Sequence, residues 1–328
     1  MSRSGEIKRN HHYVWAHYLR AWASNNNIWH LGPSGAVSYN SIKGLSKEEG
    51  YNNVIALTEE DVDFLKRWPT HDSPSLKDFH KRQIAYFGLV SKLINCHVGQ
   101  EDSSKYEDLC RISKEAESNF FEETHTAIEL LARPILDQLV AGDATCLEDK
   151  KNSTNFCNFL AHQLFRTRKI RDRIFAEHEK LKPKNAQEVH YMRLFRKNWW
   201  LLSFMNGSGF GYGLVKGWEK SKRVFVRNET DLPFITSDCP VINLQASGGA
   251  AARLSVPKTM DLYYPISPKF GYIIADSDSY EHMSDGISES EVRHLNIAVA
   301  GNAHLTIYSS SEASMREFKP HYLRLQKP

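Results

Sequence analysis

Residues 234–244 read FITSDCPVINL. Two apolar runs, Phe234–Thr236 and Val241–Leu244, bracket the polar step Ser237–Asp238–Cys239 and a proline. Aromatic and β-branched side chains suit a pleated, half-buried backbone, whereas Ser, Asp and Pro interrupt one. The stretch therefore reads as two short strands joined by a tight polar turn. It marks where the texture of the chain changes, because β-prone runs dominate from about residue 205 onward. Arg223–Arg227 alternates, and Leu262–Pro265, Tyr272–Ala275 and Leu305–Tyr308 read as further strands. Ser288–Ala298 is the exception, a helix opened by a capping box of Ser288 and Glu291. Gly248–Ala252 reads as a flexible loop.

Upstream of that border the periodicity is helical. Thr58 caps an acidic first turn ahead of Val62, Leu65 and Trp68. Further helices are expected over 78–95, 106–140, 156–180 and 189–202, with Pro134 kinking or breaking the second. The glycine-rich run Gly207–Gly213 lacks dinucleotide-binding spacing and reads as a flexible or closely packed turn. At the N-terminus, His11–Ser24 carries Tyr18, Leu19 and Trp22 at helical spacing and is expected to form a short amphipathic helix ended by Asn25–Asn27. Ile28–Leu31 and Ala36–Tyr39 flank a Gly-Pro-Ser-Gly turn, a hairpin signature. The expected fold is α+β: an N-terminal motif and hairpin (1–57), a helical block (58–203) and a β-rich portion (204–328) sharing one core.

Composition narrows the function classes. The chain of 328 residues is 41% hydrophobic and 25% charged, as a folded globular protein should be. Five widely spaced cysteines form no CxxC pair, which argues against a zinc ribbon and suits a reducing compartment. The polar N-terminus resembles no signal peptide, and no run of about eighteen apolar residues occurs, so a cytoplasmic location is expected. Net charge is only +3, but residues 166–197 hold eleven Lys or Arg against four Asp or Glu. Such a stretch either attracts a polyanion, nucleic acid or nucleotide, or forms a solvated helix face.

HExxH, GxSxG and Walker motifs are absent from the sequence. The chemistry that remains is scattered. Asp238, at a strand end, can bind a divalent metal or orient water, and can equally accept backbone N–H bonds as a turn residue. His11 and His12 adjoin each other and point in different directions, so one can face a cleft. Gln163 and Arg166 share a helix face and form either a buried polar network or an anion clamp. Arg171 and Arg173 precede His178 at the loose Arg-x(4–6)-His spacing of helical HEPN ribonucleases.

Several segments in order resemble a bacterial family of unknown function, DUF4238: HHYV-x3-YLRAWA near the N-terminus, FLAHQLFRTR, FITSDCPV, YYPISPKFGYII and LNIAVAGNAHLTIYS. The resemblance spans residues 10–310, with Trp15 where the family usually has Pro. It implies no reaction. It does imply that His11, His12, Gln163, Arg166, Ser237, Asp238 and Asn296 stand at motif positions.

The expected function is a hydrolase of phosphodiesters or nucleotides, nuclease-like, in a bacterial defence or toxin-like setting. In it Asp238 holds Mg²⁺ or Mn²⁺ or positions water, His12 is the acid or base, and Arg166 with Gln163 holds a phosphate. His11, Ser237, Asn296 and Arg168 flank the substrate. No second carboxylate or Lys stands at nuclease-like spacing after Asp238. One alternative is a non-enzymatic protein that binds a ligand or partner through the same residues. Another is a metal-independent ribonuclease using Arg173 and His178.

Overall fold

The computed structural model describes residues 6–69, 73–246 and 259–326. The fold is α+β. The chain opens with strand β1 (Asn10–His12), a single helical turn α1 (Ala16–Leu19) continued by a 3₁₀ turn to Trp22, the hairpin β2 (Asn27–Leu31) and β3 (Val37–Ser41), and strand β4 (Lys47–Glu49). The helix expected from His11 is therefore shorter than its apolar spacing suggests. Pairing of β1 with β4 holds both histidines extended, and the helix starts only after Trp15. Asn25 and Asn26 take positive φ of 50° and 62°, and this left-handed backbone turns the chain into the hairpin.

Seven helices follow: α2 (Glu59–Arg67), α3 (Pro74–Ile94), α4 (Tyr106–Val140), α5 (Lys150–Phe165), α6 (Arg168–Lys180), α7 (Ala186–Lys197) and α8 (Trp199–Gly217). A capping box of Thr58 and Asp61 starts α2. Pro134 does not break α4. It lies on the exposed face, where water can reach the carbonyl that loses its N–H partner. The helix expected over 156–180 divides at Arg166 and Thr167: the Thr167 hydroxyl donates to the Leu164 carbonyl, and Thr167 is extended. The helical block runs on to Gly217, past residue 203.

Gly207–Gly213 is thus the interior of α8 rather than a turn. Its glycines serve packing. A Cβ at Gly207 would lie 3.0 Å from His162 Nδ1, and one at Gly211 would lie 2.7 Å from Asn158 Oδ1. Two positions one turn apart on α8 are consequently kept bare so that α5 can approach.

The remaining elements are β5 (Lys222–Arg227), β6 (Thr236–Ser237), β7 (Ile242–Asn243), β8 (Asp261–Pro265), β9 (Phe270–Ala275), helix α9 (Glu289–Asn302), β10 (Ile307–Ser309) and helix α10 (Glu312–Gln326). Helix α10 was not foreseen from the sequence. Gly248–Ala252 falls outside the described residues. One antiparallel sheet has the order β3-β2-β10-β6 and another β5-β9-β8-β7. The 234–244 stretch places β6 in the first and β7 in the second, so its polar step is the junction of the two sheets.

Alternation along β8 and β9 divides the core. Leu262, Tyr264, Tyr272 and Ile274 join Tyr18 and Trp22 of the N-terminal segment and Phe156, Phe159 and Leu160 of α5. Tyr263, Ile273 and Ala275 face the other way, onto Val292, Leu295 and Val299 of α9 and Phe318 of α10. A third cluster, built on Phe64, Phe87, Phe121, Trp200 and Phe204, lies within the helices. Each such side chain, fully buried, contributes about 1.5–3 kcal/mol.

Gly211→Ala should lower stability by roughly 1–3 kcal/mol through overpacking. The added methyl meets Asn158, so combining it with Asn158→Ala should recover part of the loss in thermal melts. Equal melting temperatures for Gly211→Ala and the unaltered protein would refute the packing role.

Candidate functional site

Four of the motif side chains hold backbone from distant parts of the chain. His11, fully buried on β1, accepts from the Asn52 N–H at Nδ1 (2.8 Å), while its Nε2 pairs with the Lys8 carbonyl (2.7 Å). Gln163, on α5, donates from Nε2 to the Tyr13 carbonyl at 2.8 Å. Asn296, on α9, accepts from the Ile235 N–H (2.9 Å) and donates to the Pro233 carbonyl (2.9 Å). Asp238 accepts from the His304 N–H at Oδ1 (2.9 Å) and from the Leu305 N–H at Oδ2 (2.7 Å). Ser237 closes a local turn by accepting from the Cys239 N–H at 3.1 Å.

Asp238 thus makes the backbone-accepting contacts that its place in a polar turn allows. Both its oxygens are engaged by amides of the loop between α9 and β10. Burial pushes its carboxyl above the usual range, with those amides opposing. Among the described residues no group of three His, Cys, Asp or Glu side chains is arranged to hold a metal ion.

A different polar centre forms around Arg166. Arg166 ends α5 and is 6% exposed, and its Nη2 donates to Glu129 Oε1 (2.6 Å) and to Gln163 Oε1 (3.0 Å). Glu129 and His125 project from α4 one turn apart. Burial pushes the Glu129 carboxyl up, and the Arg166 charge beside it works against that. Burial also pushes the His125 imidazole well below its ordinary value, and Arg166 adds to the effect. His12 is lowered by burial, opposed by Glu122. Two atoms here are buried without a hydrogen-bond partner, Arg166 Nε and His12 Nε2.

Arg166 and His125 open onto a cavity of about 200 Å³ between the Gly50–Asn53 turn, α4, the α5–α6 junction, α7 and α8. Arg166, Arg171, Arg196 and Lys197 line it together with the rings of Tyr51, Phe121, Phe165, Phe175, Trp199 and Trp200, and no Asp or Glu does. Trp200 is buried as well, and its Nε1 donor has no partner. The guanidinium of Arg171 lies 4.9 Å from the Tyr51 ring centre, and that of Arg196 lies 5.1 Å from the Phe175 ring.

Of the residues singled out from sequence, Gln163, Arg166 and His12 gather at this centre. Asp238 stands on the other side of Tyr13, whose hydroxyl is pushed up to about 12 by burial and by the Asp238 charge. Arg168 does not line the cavity and pairs with Glu48 at 3.2 Å. Arg173 and His178 do not converge: five residues along one helix separates them by about 140°. His178 packs on Phe195 of α7 with ring centres 4.3 Å apart. The sequence reading missed Glu129, His125, Arg196 and Trp200, and noted Arg171 only for its spacing to His178. Glu129 and His125 left one signal, two ionisable residues four apart on the inward stripe of α4.

A family model matches residues 10–313, and the chain belongs to that family, described as a protein of unknown function (DUF4238). No curated protein and no solved structure matches the chain. All five cysteines are free, and no helix among the described residues is long and apolar enough to cross a membrane.

Asp238→Ala should destabilise by about 1–3 kcal/mol for each amide it orphans, a sharp fall in melting temperature. A carboxylate kept for catalysis would leave stability unchanged or raised on removal.

Acid should also unfold the protein through its buried histidines. Burial holds His162, on α5, down at about 3. Between that value and the ordinary histidine range the unfolded chain binds the proton and the native state does not. Stability therefore falls as pH drops through this window, by up to about 1.4 kcal/mol per pH unit for one group. Urea titrations across it should show a shallower slope for His162→Gln; an unchanged slope would refute this assignment.

Proposed function

We propose that the protein binds a small anion bearing a planar ring, a nucleotide-like molecule, in the cavity above Arg166. The observation that carries the reading is the pair of buried N–H donors without partners, Arg166 Nε and Trp200 Nε1, set among six aromatic rings; the four lining cations each already meet a carboxylate outside the lining. Buried donors are costly unless satisfied, and a bound oxyanion or ring acceptor satisfies them. Aromatic faces and guanidinium planes suit a flat ring. About 200 Å³ encloses an anionic group with a small ring, and half-exposed Arg196 and Lys197 leave the mouth open for the rest of a larger molecule.

A long polyanion is a poorer fit. Seven of the eleven Lys and Arg in residues 166–197 already pair with carboxylates: Arg166 with Glu129, Arg168 and Arg171 with Glu48, Lys180 with Glu177, Arg193 with Glu60, Arg196 with Glu179 and Lys197 with Asp61. The stretch therefore offers few free charges to a nucleic-acid backbone.

One observation favours hydrolysis as a second reading. His12, behind the cavity wall, keeps a buried unpartnered ring nitrogen near Arg166 and Glu122, and burial lowers its pKa, which favours the neutral base form. In that reading Arg166 stabilises the charge that develops on a phosphoryl or acyl oxygen, and His12 moves the proton without a metal.

The test is calorimetric titration with a nucleoside, its monophosphate and inorganic phosphate. The monophosphate should bind tightest. Trp200→Phe, which keeps a ring and loses the donor, and Arg196→Gln should each weaken it about tenfold, the worth of one hydrogen bond. Absence of binding by all three compounds would sink the proposal. His12→Gln should leave binding intact and, if the second reading holds, stop turnover.

A further inference from the structure

A second, larger hollow lies within the helical block. It measures about 920 Å³ and opens between α3, α4, α5 and α8. That volume is near the upper end of ordinary small-molecule sites, about 300–1,000 Å³. Its walls are Leu76 and Phe79 of α3, Ile128 and Leu131 of α4, and Phe204 and Val215 of α8. Leu131 is 54% exposed there, which is costly for a side chain of its size with nothing against it.

The deep end is polar and uncharged. His162 is held neutral by burial, and its Nε2 lies 3.3 Å from the Ser208 hydroxyl. No Asp or Glu lines the hollow. The mouth carries positive charge instead. Arg82 stands at it, paired along α3 with Asp78, and both are more than half exposed, so that pair is weak and easily exchanged. On α8, Lys216, one turn along from the lining residue Tyr212, lies 5.3 Å from the centre of its ring.

An apolar trough with a neutral floor and two cations at its lip is complementary to one kind of molecule. We infer that this hollow binds a linear amphiphile, an aliphatic chain with a single anionic head, the chain lying between α3, α4 and α8 and the head meeting Arg82 and Lys216. Burying the chain drives binding in proportion to its length, and the lip selects the sign of the head. The site shares no cation with the Arg166 cavity, so it stands or falls independently of the proposed function.

Calorimetry on the full chain with decanoate, decanol and decyltrimethylammonium, each below its micelle concentration, separates tail from head. Decanoate should bind tightest, at least about tenfold better than the cationic analogue. Combined Arg82→Gln and Lys216→Gln should erase the preference of decanoate over decanol while decanol binding persists. Ala127→Trp, an exposed position on the wall, should block both ligands, whereas Leu130→Trp, exposed but outside the hollow, should block neither. Failure of all three ligands to saturate, equal affinity for the three heads, or equal damage from the two tryptophans would overturn the inference. The head-group series stands even if the tryptophan variant does not fold.

Discussion

A guanidinium taken out of water costs several kcal/mol unless its charge is met and its hydrogens are accepted. Arg166 sits at the end of α5 with the N-terminal strand region on one side and α4 on the other. Meeting its charge requires Glu129 from α4, and accepting its second hydrogen bond requires Gln163, whose amide is in turn spent on the Tyr13 carbonyl. That single chain of contacts fixes α4, α5 and the segment leading into α1 relative to each other. The Arg166 carbonyl also accepts from the Tyr51 hydroxyl, which brings in the turn that forms one wall of the cavity. The cavity exists where it does because the Nε edge of the same guanidinium is left over once those obligations are met.

The same economy recurs in the C-terminal half. Asp238 and Asn296 hold the α9 region against the strand junction, Asp238 gripping the loop between α9 and β10 and Asn296, from the middle of α9, the residues before β6. Because β6 and β7 belong to different sheets, the short stretch between them must keep a fixed shape. Buried side chains with fixed hydrogen bonds impose that shape better than apolar contacts could, since a hydrogen bond has direction and a methyl contact does not.

Much of the architecture was legible in the sequence because hydrophobic period and capping chemistry act locally. The helices from Thr58 onward, the Asn25–Asn26 turn, the hairpin and the capped helix before β10 follow from residues within a turn or two of each other. What could not be read depends on distant partners. Gly207 and Gly211 look like a loop until α5 is known to press on them. Pro134 looks like a break until its face is known to be wet. His11 and His12 look helical until β4 is known to pair beside them. The motif positions were visible, but their roles were not: a side chain that grips backbone and one that awaits a ligand have the same letter. His125, Glu129 and Trp200 were hidden because ionisable and indole groups inside an apolar helix pattern carry no spacing that distinguishes a cavity wall from a core.

The grips of His11, Gln163, Asn296 and Asp238 all close on peptide groups rather than on side chains. A carbonyl or an N–H is the same whatever residue carries it, provided it is not a proline where the N–H is needed. Half of each contact is therefore indifferent to mutation. Residues 8, 304 and 305 can change identity without losing these backbone contacts, whereas Asn52 and Ile235 are themselves buried and are held by their own side chains as well. Relatives of this chain can thus diverge steeply in overall sequence and still hold the same shape through a handful of scattered letters.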